Sequence, residues 1–220
     1  MKQLIISLIS IAVGFNVGYS QVIATPTIDS AKKETILGVA DLKIVPGKRV
    51  GAIVRTTTKA DLVKLFGRKN LADSKFVAMQ GAIERPATLI KLGKNKSIQV
   101  VWANNDHNRV FSAIVRDPDW RTSTGIHVGM SFPALRKIVG KFTVNGLGWD
   151  YGHKVSFDRQ DHPVNNGMTI DADADKRAIA QFPKDYQAVK GDAPIDDKDL
   201  RWKNLKMHIS QIDVILGEPK

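Results

Sequence analysis

The feature that most limits how this chain folds is an internal repeat. Residues 53–68 align with residues 126–141 without a gap, at a constant offset of 73 residues. Matched positions include Ile53/Ile126, Thr58/Ser131, Leu62/Leu135, Leu65/Ile138, Phe66/Val139 and Gly67/Gly140. Each copy reads as a strand followed by a short capped helix. Thr58 and Ser131 are placed to accept a hydrogen bond from an orphan amide of the first turn. Asp61, three residues after Thr58, is spaced for a capping box. Pro133 falls in the first turn, where no intrahelical donor is needed. Leu62, Leu65 and Phe66 share one helical face, as do Leu135, Ile138 and Val139. Gly67 and Gly140 then supply the left-handed residue that ends each helix. A helix this short does not hold together alone, so each must lay its apolar face on the strands that follow.

Those strands are legible. Upstream, Ile36–Ala40 through Ile44-Val45 is strand-like, and Pro46-Gly47 makes a turn. Phe76–Met79, Ala87–Leu92, Ser97–Trp102 and Arg109–Arg116 follow the first helix, with Gly93–Lys96 as a hairpin signal. Asp117-Pro118-Asp119 breaks the pattern. After the second helix come Phe142–Val144, a glycine-rich corner and Lys154–Phe157. Residues 158–201 are punctuated by Pro163, Pro183 and Pro194 and read as an elaborated loop region. A short strand is expected near Met168–Ile170 and a helical turn at Lys176–Phe182. Leu205 to Leu216 closes the chain as a strand whose alternation shifts phase at Gln211, the signature of a bulge. The expected fold is therefore α+β, with two tandem units, each a short helix packed on an antiparallel sheet. The divisions are a signal peptide over 1–20, a lead-in and first strand over 21–45, a first unit over 46–117, and a second unit over 118–220 carrying the inserted loop region 158–201.

Met1 to Ser20 carries a positive Lys2, an apolar run from Leu4 to Val17, and small residues at Gly18 and Ser20. This is the pattern of a secretory signal peptide cleaved before Gln21, with a second candidate site after Ala24. The mature chain is then expected outside the cytoplasm, periplasmic or secreted, with no transmembrane span. There is no cysteine, which removes disulfides, thiolate nucleophiles, cysteine-based metal sites and the lipid-modified cysteine of a lipoprotein. The net charge of +11 favours anionic partners; export argues against nucleic acid among them.

The helix ending in Leu65-Phe66-Gly67, its meander and their second copy resemble the tandem helix-plus-sheet plan of secreted β-lactamase-inhibitor proteins. They also resemble the single-copy plan of small outer-membrane assembly lipoproteins of the SmpA/OmlA type. The segment Gly146-Leu147-Gly148-Trp149-Asp150-Tyr151-Gly152 is similar to one in a group of uncharacterised exported bacterial proteins. The likeness covers roughly Arg49 to Phe157 and the last strand. It implies the fold and carries no catalytic residues with it.

Candidate chemistry is sparse. Trp149, Asp150, Tyr151 and His153 are the densest group of functional side chains; on a strand, Trp149, Tyr151 and His153 would share one face. One ring either closes the core or stands exposed as a binding anchor. The five histidines, His107, His127, His153, His162 and His208, show no metal-binding spacing. Asp171-Ala172-Asp173-Ala174-Asp175 lacks the glycine and the final glutamate of a calcium loop, where Lys176 and Phe182 stand, and reads as a solvated acidic turn. No nucleophile elbow, phosphate loop or dinucleotide fingerprint occurs. No cofactor or metal is expected. Residues 59–96 hold nine Lys/Arg against three acids, and Lys64, Arg68, Lys69, Lys91, Lys94 and Lys96 form the candidate anion surface. The expected function is a non-enzymatic, inhibitor-like module binding another envelope or secreted protein. The alternatives are a basic protein binding anionic polymer or lipid head groups, and a hydrolase assembled from two of His127, Asp150 and His153.

Overall fold

The structure, a computed structural model, describes residues 41–149, 152–158 and 166–217. The expected signal peptide over 1–20, the expected strand residues 36–40, Asp150, Tyr151 and His162 lie outside the described residues. The strands are β1 (Lys43–Val45), β2 (Arg49–Val50), β3 (Ile53–Val54), β4 (Leu71–Ala78), β5 (Ile83–Lys91), β6 (Ser97–Trp102), β7 (Val110–Val115), β8 (Arg121–Thr122), β9 (Phe142–Asn145), β10 (Val155–Phe157), β11 (Met168–Asp173), β12 (Pro194–Asp196) and β13 (His208–Ile215). The helices are α1 (Lys59–Phe66), α2 (Phe132–Val139), α3 (Lys176–Gln181), α4 (Pro183–Ala188) and α5 (Leu200–Asn204). The fold is α+β.

A six-stranded sheet in the order β11-β13-β7-β6-β5-β4 dominates the structure, antiparallel throughout. Smaller sheets run β3-β2-β1-β8 and β10-β9-β12. Strands from both halves of the chain share the large sheet, because β13 pairs with β7, placing Ile212 opposite Val115 and Val214 opposite Ala113. One continuous core results, joining Leu62 and Phe66 of α1, Leu135 and Val139 of α2, and the inward row Ile90, Ile98, Val100, Val115, Ile212 and Ile170. The period-2 alternation of the strands delivers that row. Trp102 is buried with them, and its Nε1 donates to Thr88 Oγ1 at 2.9 Å, which satisfies both buried polar groups.

α1 and α2 sit at the expected 73-residue offset, end to end. Their starts differ. Thr58 closes a full capping box with Asp61, whereas Ser131 makes no side-chain cap hydrogen bond. Ser131 is instead held by its backbone in a bridge to His208. Gly67 and Gly140 end the helices at φ 76° and 79°, as the pattern requires. Residues 125–128 do not form the expected strand: Thr122 Oγ1 accepts from Ile126 N–H at 2.9 Å and ties them into a turn. The expected hairpin over Gly93–Lys96 is present between β5 and β6.

The region 158–201 is more regular than its prolines suggest. Pro183 occupies the first turn of α4, and Pro194 opens β12 at the edge of its sheet, two positions where a missing donor is tolerated. Asp171 and Asp173 are not in a solvated turn. They continue β11, paired to Gln211 and His208 of β13, and Asp175 caps α3. The predicted phase shift at Gln211 is the bulge opposite Asp171/Ala172.

The face of the large sheet away from the helices carries polar side chains. Lys154 Nζ lies 2.5 Å from Asp171 Oδ1, and Arg116 donates to Gln99 Oε1 at 3.0 Å. Asp213 Oδ1 is buried there without a hydrogen-bond partner among the described residues. Burial pushes the Asp213 carboxyl up to about 6; the Ser112 hydroxyl and Lys154 oppose the shift.

Two predictions follow from these contacts. Thr58→Ala should lower stability by about 1 kcal/mol, with Ser131→Ala close to neutral, both read by urea unfolding; equal losses would contradict the capping difference. A raised acid binds more protons folded than unfolded between 3.8 and about 6, so its share of stability falls as pH rises through that window and stays lost above it. Asp213→Asn should therefore raise stability near pH 8, by about 1–3 kcal/mol, and give no such gain below pH 4. An Asn variant no more stable than the parent near pH 8 would contradict the burial account.

Candidate functional site

The corner between β9 and β10 is built from backbone packed on backbone. Gly146 N–H donates to Ala193 O at 3.1 Å, Leu147 N–H to Val189 O at 2.8 Å, and Gly191 N–H returns to Leu147 O at 3.0 Å. A Cβ on Gly146 would lie 2.5 Å from Gly191 O, and one on Gly152 would lie 2.2 Å from Gly146 O. No larger residue fits either position without moving main chain. The glycines of this segment therefore serve the fold.

His153 serves it as well. Its backbone has φ 70°, and its N–H is shared between Asn145 O and Gly146 O at 3.1 and 3.2 Å. Gly148 N–H donates to His153 Nε2 at 3.2 Å, and Nδ1 lies 3.1 Å from Ala172 O. With Nε2 accepting, the proton sits on Nδ1 and is donated to that carbonyl. Both ring nitrogens are thus committed to holding the corner. Gly148 and Trp149 lie in a bend and Gly152 and His153 in a turn, so Trp149 and His153 do not share a strand face. Trp149 is left 59% exposed. Trp102, Trp120 and Trp202 are all buried, so an indole facing water at this position stands apart.

The candidate basic residues collect at one end of the large sheet. Leu71 pairs with Ile90 and Lys91 with Ser97, which brings the turn holding Arg68 and Lys69 beside the tip holding Lys94 and Lys96. Lys64 lies in the last turn of α1. Lys64, Arg68, Lys69, Lys91 and Lys94 are exposed and Lys96 is half-buried. None of the six forms an ion pair among the described residues. The far end of the β4–β5 hairpin instead exposes Val77, Met79 and Ile83, on a sheet edge that no further strand covers.

One site escapes sequence reading altogether. A groove of about 660 Å³ lies between the start of α2, α5 and the start of β13, within the size range of ligand clefts. Phe132, Pro133, Trp202 and Met207 line it, and Leu200, 81% exposed, stands at its mouth. Phe132 packs edge-on against Trp202 at 6.1 Å and against Phe142 at 5.2 Å. Beside it, buried Asp197 pairs with Arg136 and accepts from Phe142 N–H at 3.3 Å. This pairing holds the Arg136 guanidinium above its ordinary range. Lys198, Lys203 and Lys206 rim the groove. Its walls come from residues about 70 apart in the chain, so no local pattern marks it.

The four described histidines each have partners of their own. His127 Nδ1 lies 2.8 Å from its neighbour's carbonyl, Val128 O, and His107 packs against Trp102 at 5.3 Å. His127 and His153 are each bonded elsewhere and make no contact with one another. Among the described residues no group of three or more acidic or histidine side chains is arranged to hold a metal ion, and no helix is long and apolar enough to cross a membrane.

No protein-family model matches this chain, and no curated protein matches it. Among solved structures it is similar to the crystal structure of the uncharacterized protein yfeY from Escherichia coli, at a TM-score of 0.44 and 14% identity over 80% of this chain and 99% of that one.

Proposed function

We propose that this chain is an exported, non-enzymatic protein-binding module whose recognition anchor is Trp149. The observation that carries this reading is an indole 59% exposed in a segment whose main chain packs on main chain at Gly146 and Gly152. A large exposed aromatic ring buries much apolar surface when a partner covers it, and such residues carry a disproportionate share of interface energy. The partner is another envelope or secreted protein. The tandem inhibitor-like plan of the repeat, with the Gly146–Gly152 segment as its unrepeated addition, belongs to the same reading: the corner has no counterpart 73 residues upstream, where residues 73–80 form strand and turn.

The concentration of six unpaired cations at one end of the large sheet favours a second reading, binding of anionic wall polymer or lipid head groups by Lys64, Arg68, Lys69, Lys91, Lys94 and Lys96. Binding of this kind weakens steeply with salt, because exposed charges are screened within about 10 Å at 0.1 M.

A photo-crosslinking side chain placed at position 149 should give one discrete adduct in the envelope, with none from the exposed Lys137 of α2. Trp149→Ala should weaken binding of the adduct's protein by tenfold or more in calorimetry. An adduct equally strong from position 137, or an Ala variant that binds unchanged, contradicts the anchor. For the basic end, binding to an anionic polymer should fall by at least tenfold between 50 and 300 mM salt; salt-independent binding removes that reading.

A further inference from the structure

Three arginines meet at a small cavity that the basic-end residues do not touch. Arg55, Arg85 and Arg109, with Asn104 and Phe111, line a space of about 60 Å³. Main-chain pairing sets this convergence. Val110 N–H donates to Arg55 O at 2.9 Å, and Ala103 N–H to Arg109 O at 2.9 Å, so the strand ends carrying Arg55 and Arg109 are bound to one another and to the end of β6. Arg85 comes from β5 and is fixed from two sides. Its guanidinium carbon stands 4.3 Å over the Phe111 ring, and its Nη1 lies 3.4 Å from Ala103 O.

Among the described residues no carboxylate lines this cavity and none of the three guanidiniums forms an ion pair. Gathering three permanent positive charges around one small space is unfavourable unless an anion joins them. Guanidinium forks match oxyanions, presenting paired N–H donors to paired oxygens. At about 60 Å³ the space is several times the ~10–15 Å³ that one water needs, which is room for a small oxyanion.

We propose that the cavity formed by Arg55, Arg85 and Arg109 is a binding site for one tetrahedral oxyanion such as a phosphate group. This site is separate from the Trp149 corner and does not depend on it. Free phosphate, a soluble monoester and the head group of phosphatidic acid share this chemistry. A phosphate on a larger molecule would enter with the rest of that molecule outside.

The test is calorimetric titration of the full chain with inorganic phosphate in a phosphate-free buffer at low salt. The expected result is one site per chain, weakened at least tenfold by Arg109→Gln and changed less than twofold by Arg68→Gln, which removes the same charge at the basic end. Far-ultraviolet circular dichroism of each variant confirms folding, and Arg55→Gln serves as a second variant if Arg109→Gln does not fold. Binding to phosphatidic acid vesicles that is lost with Arg109→Gln and displaced by phosphate would identify a head group as the source. Phosphate binding without vesicle binding would identify a soluble one. Absence of phosphate binding, or equal losses from Arg109→Gln and Arg68→Gln, would each overturn the assignment.

Discussion

The structure depends first on the pairing of β7 with β13. That pairing joins residues 112–115 to residues 212–215, about 100 residues apart in the chain. Without it, β4–β7 with α1 and the later strands with α2 would each present one bare apolar face. With it, the inward rows of both halves become one surface, and α1 and α2 bury Leu62, Phe66, Leu135 and Val139 in one core. Neither helix has the length to be stable without that surface. Closing such a distant contact costs chain entropy that only extensive apolar burial offsets.

The same long-range closure creates the places where the molecule can act. The corner at Gly146–His153 is clamped from two directions, by Val189, Gly191 and Ala193 on one side and by Ala172 of β11 on the other. Its glycines and its histidine are consumed by that clamping. Among the described residues of the segment, Trp149 is the large side chain left exposed. The arginine cavity arises similarly, from three separate strand ends brought together by main-chain hydrogen bonds. In both places backbone pairing does the positioning and side chains supply the chemistry.

How much of this was visible in the sequence varies by element. The two helices were, because their caps, apolar faces and terminal glycines are local signals, and the bulge at Gln211 was, because alternation changes phase there. Asp171 and Asp173 were not: an acidic run looks solvated until Lys154 arrives from β10's approach to share the strand face. The hydrogen-bonded turn at Thr122 and Ile126 was hidden by a strand-like composition. For the corner, sequence singled out Trp149 and His153 together, and only the geometry separates an exposed ring from a structural imidazole. Arg55 and Arg109 fell outside the densest basic stretch, so charge counting passed over them. The groove beside α2 needed Phe132 and Trp202 to meet across about 70 residues, which no local pattern records.

Trp149 is the exposed member of the four tryptophans, and that gives the central claim a direct optical test. Acrylamide quenching of tryptophan fluorescence, measured on the full chain alone and with its crosslinked partner protein added, reports on this ring almost alone. An accessible component in the free protein that disappears on binding, and that is missing from the start in Trp149→Phe, is the predicted result. An accessible component that persists unchanged in the complex would contradict Trp149 as the anchor.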